Sequence, residues 1–308
     1  MISIILAAKI ASLFLMILIG FILVKSGILE AGDSRVLSKF SLYAVTPCMI
    51  LNAFMIDLND DILQGLILAV GLAVFWHVFF ILMTAVLERP LHLSSIEKAS
   101  VVYSNAGALI IPIVTGVLGS EWVIYTSAYI AVQLILNWTH CRLLLSGKSG
   151  TLGQILKTPA IIAIILGILL LFTRLRPGSV IQGTIDSVSA LTGPVAMFVT
   201  GMLLADMDLK KTFTSRRAWL TASLRLVLLP LIAVAALKLL RISSLVVNGD
   251  TIVLISLLAA SSSSASNVVQ MAQTFVGDEA ADNAACINII TTLSCIITMP
   301  VIVFLYQM

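Results

Sequence analysis

Ten long apolar segments follow one another along the 308-residue chain, separated by short polar connections. They lie near 3–24, 37–56, 62–86, 97–118, 122–145, 159–173, 183–205, 218–240, 250–275 and 281–306. Most have about the 20 residues that an α-helix needs to cross the hydrocarbon core of a bilayer. Charged residues make up 11% of the chain, against about 25% in soluble domains. We therefore expect an all-α integral membrane protein with ten transmembrane helices.

The basic residues indicate how these helices are oriented. Of the 18 Lys and Arg residues, twelve lie on the side of the first–second, third–fourth, fifth–sixth, seventh–eighth and ninth–tenth connections, five lie on the other side, and Arg225 lies within a span. Cytoplasmic loops carry an excess of Lys and Arg, so the richer side should be cytoplasmic. The N- and C-termini are then on the non-cytoplasmic side.

The hydrophilic connection Ser146–Thr158 divides the chain into two halves of five segments, residues 1–148 and 149–308. Val-Thr-Pro at 45–47 in the second segment resembles Thr-Gly-Pro at 192–194 in the seventh. A five-helix unit repeated after an odd number of spans inserts with opposite topology, as is common in secondary transporters. The sequence therefore predicts two inverted five-helix repeats.

The ends of the fourth and ninth segments also match, as Leu-Gly-Ser-Glu at 118–121 and Val-Gly-Asp-Glu at 276–279. Pro112 in the fourth segment removes a backbone donor and predicts a kink or break there. Serines at 261–264 in the ninth compete for backbone hydrogen bonds and weaken a helix. Aligning Gly119 with Gly277 pairs Asn105 with Ser263.

Two interrupted helices meeting near the bilayer midplane can hold a carboxylate, because their half-helix N-termini carry partial positive charge and free N–H groups. The alternative is that Ser and Asn bond neighbouring helices while Gly permits close packing. The candidate substrate-binding residues are Ser104, Asn105, Gly107, Pro112, Gln133, Ser261, Ser262, Ser263, Ser264, Asn267 and Asn288.

Other polar residues within the segments allow two interpretations each. Gln133 shares a helix face with Asn137 and His140, and Asn288 shares one with Thr291 or Thr292, so these faces line the site or pack inward. His77 is a candidate proton relay, or a neutral histidine bonded to a neighbour. Arg225 anchors an anion in a cavity, or extends to the cytoplasmic surface.

Several function classes lack their usual signals. Acidic residues stand almost entirely in connections or at helix ends, and the chain has no P-loop, catalytic constellation or metal-ligand spacing. We therefore expect no enzyme activity, no cofactor and no metal site. A net charge of +3 with scattered basic residues argues against a nucleic-acid partner.

The chain resembles the auxin efflux carrier family, whose bacterial members include proteins assigned as malonate and malate carriers. The residues that carry the resemblance are Ile19–Leu23, Tyr43–Pro47, Ser104–Gly107 with Pro112, Leu118–Glu121 and Gly193–Pro194. No single motif is specific, but the motifs run through the whole chain and together with the ten-helix plan they are fairly specific. Members often have Pro in the ninth-helix crossover, where this chain has the serines 261–264.

The resemblance implies a fold like that of the bile-acid/sodium symporters. Helices 1, 2, 6 and 7 would form a scaffold that often dimerises, giving a homodimer. Helices 3–5 and 8–10 would form a moving transport domain, with helices 4 and 9 broken and crossing at the substrate. The long cytoplasmic loop of the plant carriers is missing, so the resemblance implies a compact bacterial member in the cell inner membrane.

These observations predict a secondary transporter of small organic anions, mono- or dicarboxylates, working by elevator-type alternating access. One alternative is a sodium-coupled symporter of the bile-acid type, for which Ser, Thr and Asn supply oxygen ligands; H⁺ and Na⁺ both stay open as coupling ions. An alternative of another class is a non-transporting membrane sensor or subunit, although broken helices are costly in lipid unless they line a path.

Overall fold

A computed structural model describes residues 2–55, 59–148, 153, 156–240 and 242–308. These residues form helices joined by short connections, and the described part of the chain contains no named strand. The predicted division between residues 148 and 149, and much of the connection Ser146–Thr158, lie outside the described residues.

The α-helices are numbered here in chain order. They are α1 (Ile2–Lys25), α2 (Ser34–Phe40), α3 (Thr46–Phe54), α4 (Asp60–Leu91), α5 (Ser95–Val102), α6 (Ile111–Val117), α7 (Val123–Leu136), α8 (Arg142–Ser146), α9 (Pro159–Thr173), α10 (Ser179–Ser189), α11 (Thr192–Asp206), α12 (Leu209–Thr214), α13 (Arg216–Ser223), α14 (Leu229–Leu240), α15 (Gly249–Ala260), α16 (Ser266–Phe275) and α17 (Asp278–Gln307).

Wider π-helical turns join several of these helices. Three of them, Ser41–Val45, Ala106–Ile110 and Leu224–Leu228, end two residues before a proline. Proline has no N–H, and its ring clashes with the carbonyl four residues earlier. A turn with i→i+5 hydrogen bonds removes that clash, so the positions of the prolines explain where these three π-helical turns occur. The fourth, Asn137–Cys141, contains no proline.

The helical stretches match a membrane protein in length and composition. Five are long and apolar enough to cross a bilayer, namely Ala31–Phe54, Asp60–Leu91, Ser179–Asp206, Arg216–Leu239 and Glu279–Gln307. Shorter apolar helices cover Phe14–Lys25, Pro159–Thr173 and Gly249–Ala260. These findings confirm the all-α membrane class, whereas the ten-span count and the inverted repeats stay predictions.

Packing separates the helices into two groups. In one group α1 lies along α11, and α3 packs against α9 and α10. In the other, α4 packs on α7 and α15, while α17 contacts α5, α13 and α16. Contacts between the groups include α1 with α17 and α11 with the π-helical turn Ala106–Ile110. The division into scaffold helices 1, 2, 6 and 7 and transport-domain helices 3–5 and 8–10 stays a prediction.

Two glycines allow α1 and α11 to approach closely. A Cβ atom on Gly201 would lie 2.0 Å from the carbonyl oxygen of Ile17, and one on Gly20 would lie 2.4 Å from that of Phe198. Small residues at such crossings let helix backbones touch, which is a common basis of helix association in lipid.

Gly119 and Gly277, the residues used to align the two halves, share a backbone conformation. Their φ angles are +117° and +133°, a region that residues with a Cβ rarely adopt. Each is the N-cap of the helical turn that follows. The sequence alignment of the fourth and ninth segments is therefore matched by the local backbone at both ends.

Candidate functional site

The fourth and ninth predicted helices are both interrupted. Residues 103–105 separate α5 from the π-helical turn Ala106–Ile110, and residues 261–265 separate α15 from α16. The break predicted from the serine run is confirmed, although it contains no proline. The break predicted at Pro112 lies earlier in the chain, and Pro112 itself lies in the helical stretch that runs from the π-helical turn Ala106–Ile110 into α6.

The two unwound segments cross and pair as a minimal antiparallel ladder. Ser104 and Ser264 face each other in a β-bridge. The N–H of Asn105 donates to the carbonyl oxygen of Ser263 over 2.9 Å, and the N–H of Ala265 donates to that of Tyr103 over 2.9 Å. Asn105 and Ser263, which the sequence alignment paired, are thus in direct contact. These bonds satisfy backbone groups that neither broken helix can satisfy.

Gln133 on α7 binds the first unwound segment. Its Oε1 accepts hydrogen bonds from the N–H of Ser104 (3.0 Å) and from the Ser104 hydroxyl (2.8 Å). Its Nε2 donates to the carbonyl oxygen of Ser104 over 2.7 Å. Both residues are buried. The amide of Gln133 is therefore committed to the backbone, so its function here is to hold the break open.

At the second unwound segment, two side chains of α17 hydrogen-bond to the backbone of Ser264. Asn288 donates from Nδ2 to the carbonyl oxygen of Ser264 over 2.6 Å. The N–H of Ser264 donates to Oγ1 of Thr291 over 3.0 Å. The sequence left Thr291 and Thr292 as equivalent choices on this face, and the structure assigns the contact to Thr291. The hydroxyl of Thr292 is buried without a partner among the described residues.

The serine run divides into two pairs with different environments. Ser261 and Ser262 donate back to carbonyls of α15, those of Leu257 (2.7 Å) and Ala259 (3.1 Å). The hydroxyls of Ser263 and Ser264 are buried and have no hydrogen-bond partner in the described part of the chain. Two buried hydroxyls at the crossing point therefore have no partner among the described residues.

The side chains of Asn105 and Asn267 are also available. Both are half-buried beside the crossing, and neither makes a hydrogen bond through its side chain within the described residues. Gly107 and Pro112 are half-buried in the turns that follow Asn105. Of the predicted site residues, Asn105, Ser263, Ser264 and Asn267 therefore have free polar groups, whereas Ser104, Gln133 and Asn288 stabilise the breaks.

Four helix ends meet at this crossing. The C-terminal ends of α5 and α15 approach it, and the turns beginning at Ala106 and Ser266 leave it. The N-caps of those two turns, Asn105 and Ala265, make no side-chain capping bond. Helix N-termini without a cap offer N–H groups and partial positive charge to an anion.

Arg225 fills the space at the two C-terminal ends. Its side chain is completely buried, so it does not extend to the cytoplasmic surface. Nε donates to the carbonyl oxygen of Ser262 (2.8 Å), Nη2 to that of Ala260 (3.3 Å) and Nη1 to that of Val101. The guanidinium also lies 5.9 Å from the centre of the Phe80 ring.

An aromatic and histidine cluster surrounds the first unwound segment. His77 contacts the carbonyl oxygen of Ala73 through Nδ1 (2.7 Å), while its buried Nε2 has no partner among the described residues. The ring centres of His77 and Tyr129 are 4.9 Å apart. The Tyr103 hydroxyl lies 2.8 Å from Nδ1 of His140. Tyr103 carries no signal in the sequence beyond its position directly before Ser104.

One buried carboxylate was not predicted from the sequence. Glu97, at the first turn of α5, is 5% exposed and pairs with Arg217 at distances of 2.7 Å and 2.5 Å. A cavity of about 520 Å³ opens beside this pair, between the starts of α5, α13 and α17. Glu97 and Arg217 are 120 residues apart, and the chain carries no local pattern that would have paired them.

Comparison with known proteins assigns the chain to a family. No curated protein matches the chain. A family model described as membrane transport protein matches residues 5–155 and 142–303, which together cover almost the whole chain. This is the family of the auxin efflux carriers. The chain therefore belongs to the auxin efflux carrier family of membrane transport proteins and is a multi-pass membrane transporter.

Proposed function

We propose that the protein is a secondary transporter that carries small organic anions, mono- or dicarboxylates, across the bacterial inner membrane. The observation that carries the proposal is the crossing of the two unwound segments at Ser104 and Ser264. Unwound backbone inside a membrane is tolerated where protein or a cavity encloses it. Interrupted helices that cross at mid-protein are the usual substrate sites of secondary transporters.

The chemistry of the crossing favours an anion. Carboxylate oxygens would accept hydrogen bonds from Asn105, from the hydroxyls of Ser263 and Ser264, and from the uncapped N–H groups that follow Asn105 and Ala265. Arg225 places a positive charge beside the same segments. The carboxylates of Glu88 and Glu97 lie in ion pairs with Lys98 and Arg217.

The division of the packing into two groups supports an elevator-type mechanism. Helices α4–α7 and α13–α17 would move as a transport domain against the scaffold made by α1–α3 and α9–α11. The proposal includes the predicted ten spans, two inverted repeats, external termini, and a homodimer formed through the scaffold. The first crossing segment contacts the scaffold through α11, so it lies where such a movement would change its exposure.

Uptake by proteoliposomes tests the function. The panel contains labelled malonate, malate, succinate, lactate and indole-3-acetate, each with and without a proton or sodium gradient. We expect saturable accumulation of at least one of these compounds. If folded protein accumulates none of them, the anion proposal is wrong, and substrate binding without turnover would instead indicate a sensor.

The variant Asn105→Ala tests the site. We expect it to abolish saturable uptake while the protein stays folded, because the amide is free to donate and no described residue depends on it. Asn52→Ala is the matched control, since Asn52 on α3 bonds to Ser189 and Gln182 away from the crossing. Normal uptake by Asn105→Ala would remove this residue from the site.

A further inference from the structure

The least expected group in the molecule is the guanidinium of Arg225. It lies in the π-helical turn Leu224–Leu228 and is completely buried. No carboxylate lies within ion-pair distance of it in the described part of the chain. An unpaired charge in such surroundings is costly, so other groups must compensate it.

The compensation comes from the broken helices themselves. Val101 and Ala260, whose carbonyls accept from Arg225, belong to the last turns of α5 and α15, and Ser262 follows α15 by two residues. The C-terminal end of a helix carries partial negative charge and carbonyls without an intrahelical partner. Arg225 therefore neutralises two helix C-termini at once.

Carbonyl oxygens that converge from two helix C-termini are also ligands suited to a small inorganic cation. In transporters built from discontinuous helices, unwound backbone carbonyls and the C-terminal ends of half-helices coordinate the coupling ion. In this chain the three carbonyl oxygens are already occupied by Nε, Nη1 and Nη2 of one side chain.

We propose that Arg225 is the resident cation of the crossing. It occupies the carbonyl oxygens that a dissolved Na⁺ would need, and it supplies a fixed positive charge to the anion bound at the opposite helix ends. Transport is then independent of Na⁺. This inference rests on the proposed function for its second part, because a fixed charge beside the site serves only an anionic substrate.

Thermal unfolding of the purified protein tests the cation part without any substrate. Midpoints are compared in NaCl, KCl and choline chloride at equal ionic strength. We expect the wild-type protein to unfold at the same temperature in all three salts. The variant Arg225→Ala leaves an empty, carbonyl-lined space, so we expect Na⁺ or K⁺ to raise its midpoint above that in choline by about 3–6 °C.

Matched variants separate this effect from a general effect of salt. Arg216→Ala removes an exposed guanidinium from the same helical stretch and should show no difference between the three cations. Arg225→Lys keeps the charge and should behave in the same way. Arg225→Gln, which is less drastic than Arg225→Ala, should show the cation-specific rise and serves if the alanine variant does not fold.

The outcomes decide the proposal in either direction. A cation-specific rise in the wild-type protein, or none in folded Arg225→Ala or Arg225→Gln, would overturn it. Uptake by the wild-type protein with choline in place of all Na⁺ is the second measurement, and a loss of uptake would overturn it as well. If the wild-type protein transports no carboxylate in any salt, the proposed function fails, while the unfolding midpoints still decide whether Arg225 replaces a cation.

Discussion

Each of the two unwound segments needs hydrogen-bond partners for its freed backbone groups, and different side chains supply them. At the first, a single residue, Gln133, makes all three hydrogen bonds to Ser104. At the second, Asn288 and Thr291 each make one bond to Ser264. Both arrangements satisfy one N–H and one carbonyl of a residue that has left its helix. What is similar between the halves is the position of the break, and what differs is the number of side chains that hold it.

The breaks also differ in length and in the residues that surround them. The first covers residues 103–105 and is followed by a π-helical turn and Pro112, whereas the second covers residues 261–265 and is made mostly of serine. A proline is therefore not needed for a break. Here serine hydroxyls bond back to the preceding turn, and side chains of α17 bond to the freed backbone.

The largest expected effect is at Gln133, because no other side chain shares its function. Gln133→Leu leaves the N–H, the carbonyl and the hydroxyl of Ser104 without their partner. We expect the free energy of unfolding to fall by about 3 kcal/mol, roughly 1 kcal/mol for each bond. Equilibrium unfolding in mixed detergent micelles measures this change.

Asn137→Leu is the matched control for Gln133→Leu. Asn137 lies one turn further along the same face and is equally buried, but neither of its amide atoms has a partner among the described residues. Its replacement should not lower stability. Equal losses in the two variants would show that polarity at this face matters, and not the contact with Ser104.

The second break should tolerate single substitutions better. Thr291→Val and Asn288→Leu each remove one bond to Ser264, so we expect a loss of about 1 kcal/mol for each and about 2 kcal/mol for both. The same unfolding measurement compares them with Gln133→Leu. Thr292→Val is the control and should be neutral, because its hydroxyl has no partner in the described part of the chain. A single variant as damaging as Gln133→Leu would show that one side chain also holds the second unwound segment.

This comparison also shows how far the sequence leads. The serine run predicted the second break, because serine hydroxyls compete locally for backbone hydrogen bonds. The alignment of Gly119 with Gly277 predicted that Asn105 and Ser263 are paired. The commitment of Gln133 to Ser104 was not predictable in this way. Whether a polar side chain on a helix face binds substrate or a neighbouring backbone depends on how closely the helices pack, which no local pattern records.

Arg225 illustrates the same limit from the other direction. Its position two turns into an apolar segment allowed either a surface or an interior location, and the helix pattern cannot choose between them. The interior location depends on the ends of α5 and α15, to which Arg225 binds across 124 and 35 residues of chain. Pro112 is similar, because a proline within a helix can break it or follow a wider turn, and only the structure shows the π-helical turn Ala106–Ile110 before it.

The smallest expected effect distinguishes the two pairs within the serine run. Ser263→Ala and Ser264→Ala each remove one free hydroxyl from the proposed anion site. Each should therefore cost about 1 kcal/mol of substrate binding, roughly a fivefold rise in KM for uptake. Ser261→Ala and Ser262→Ala remove hydroxyls that only bond back to α15, so their KM should stay within about twofold of the wild-type value. If all four variants change KM alike, the hydroxyls act through the shape of the break, and the second unwound segment contributes its backbone alone to the substrate.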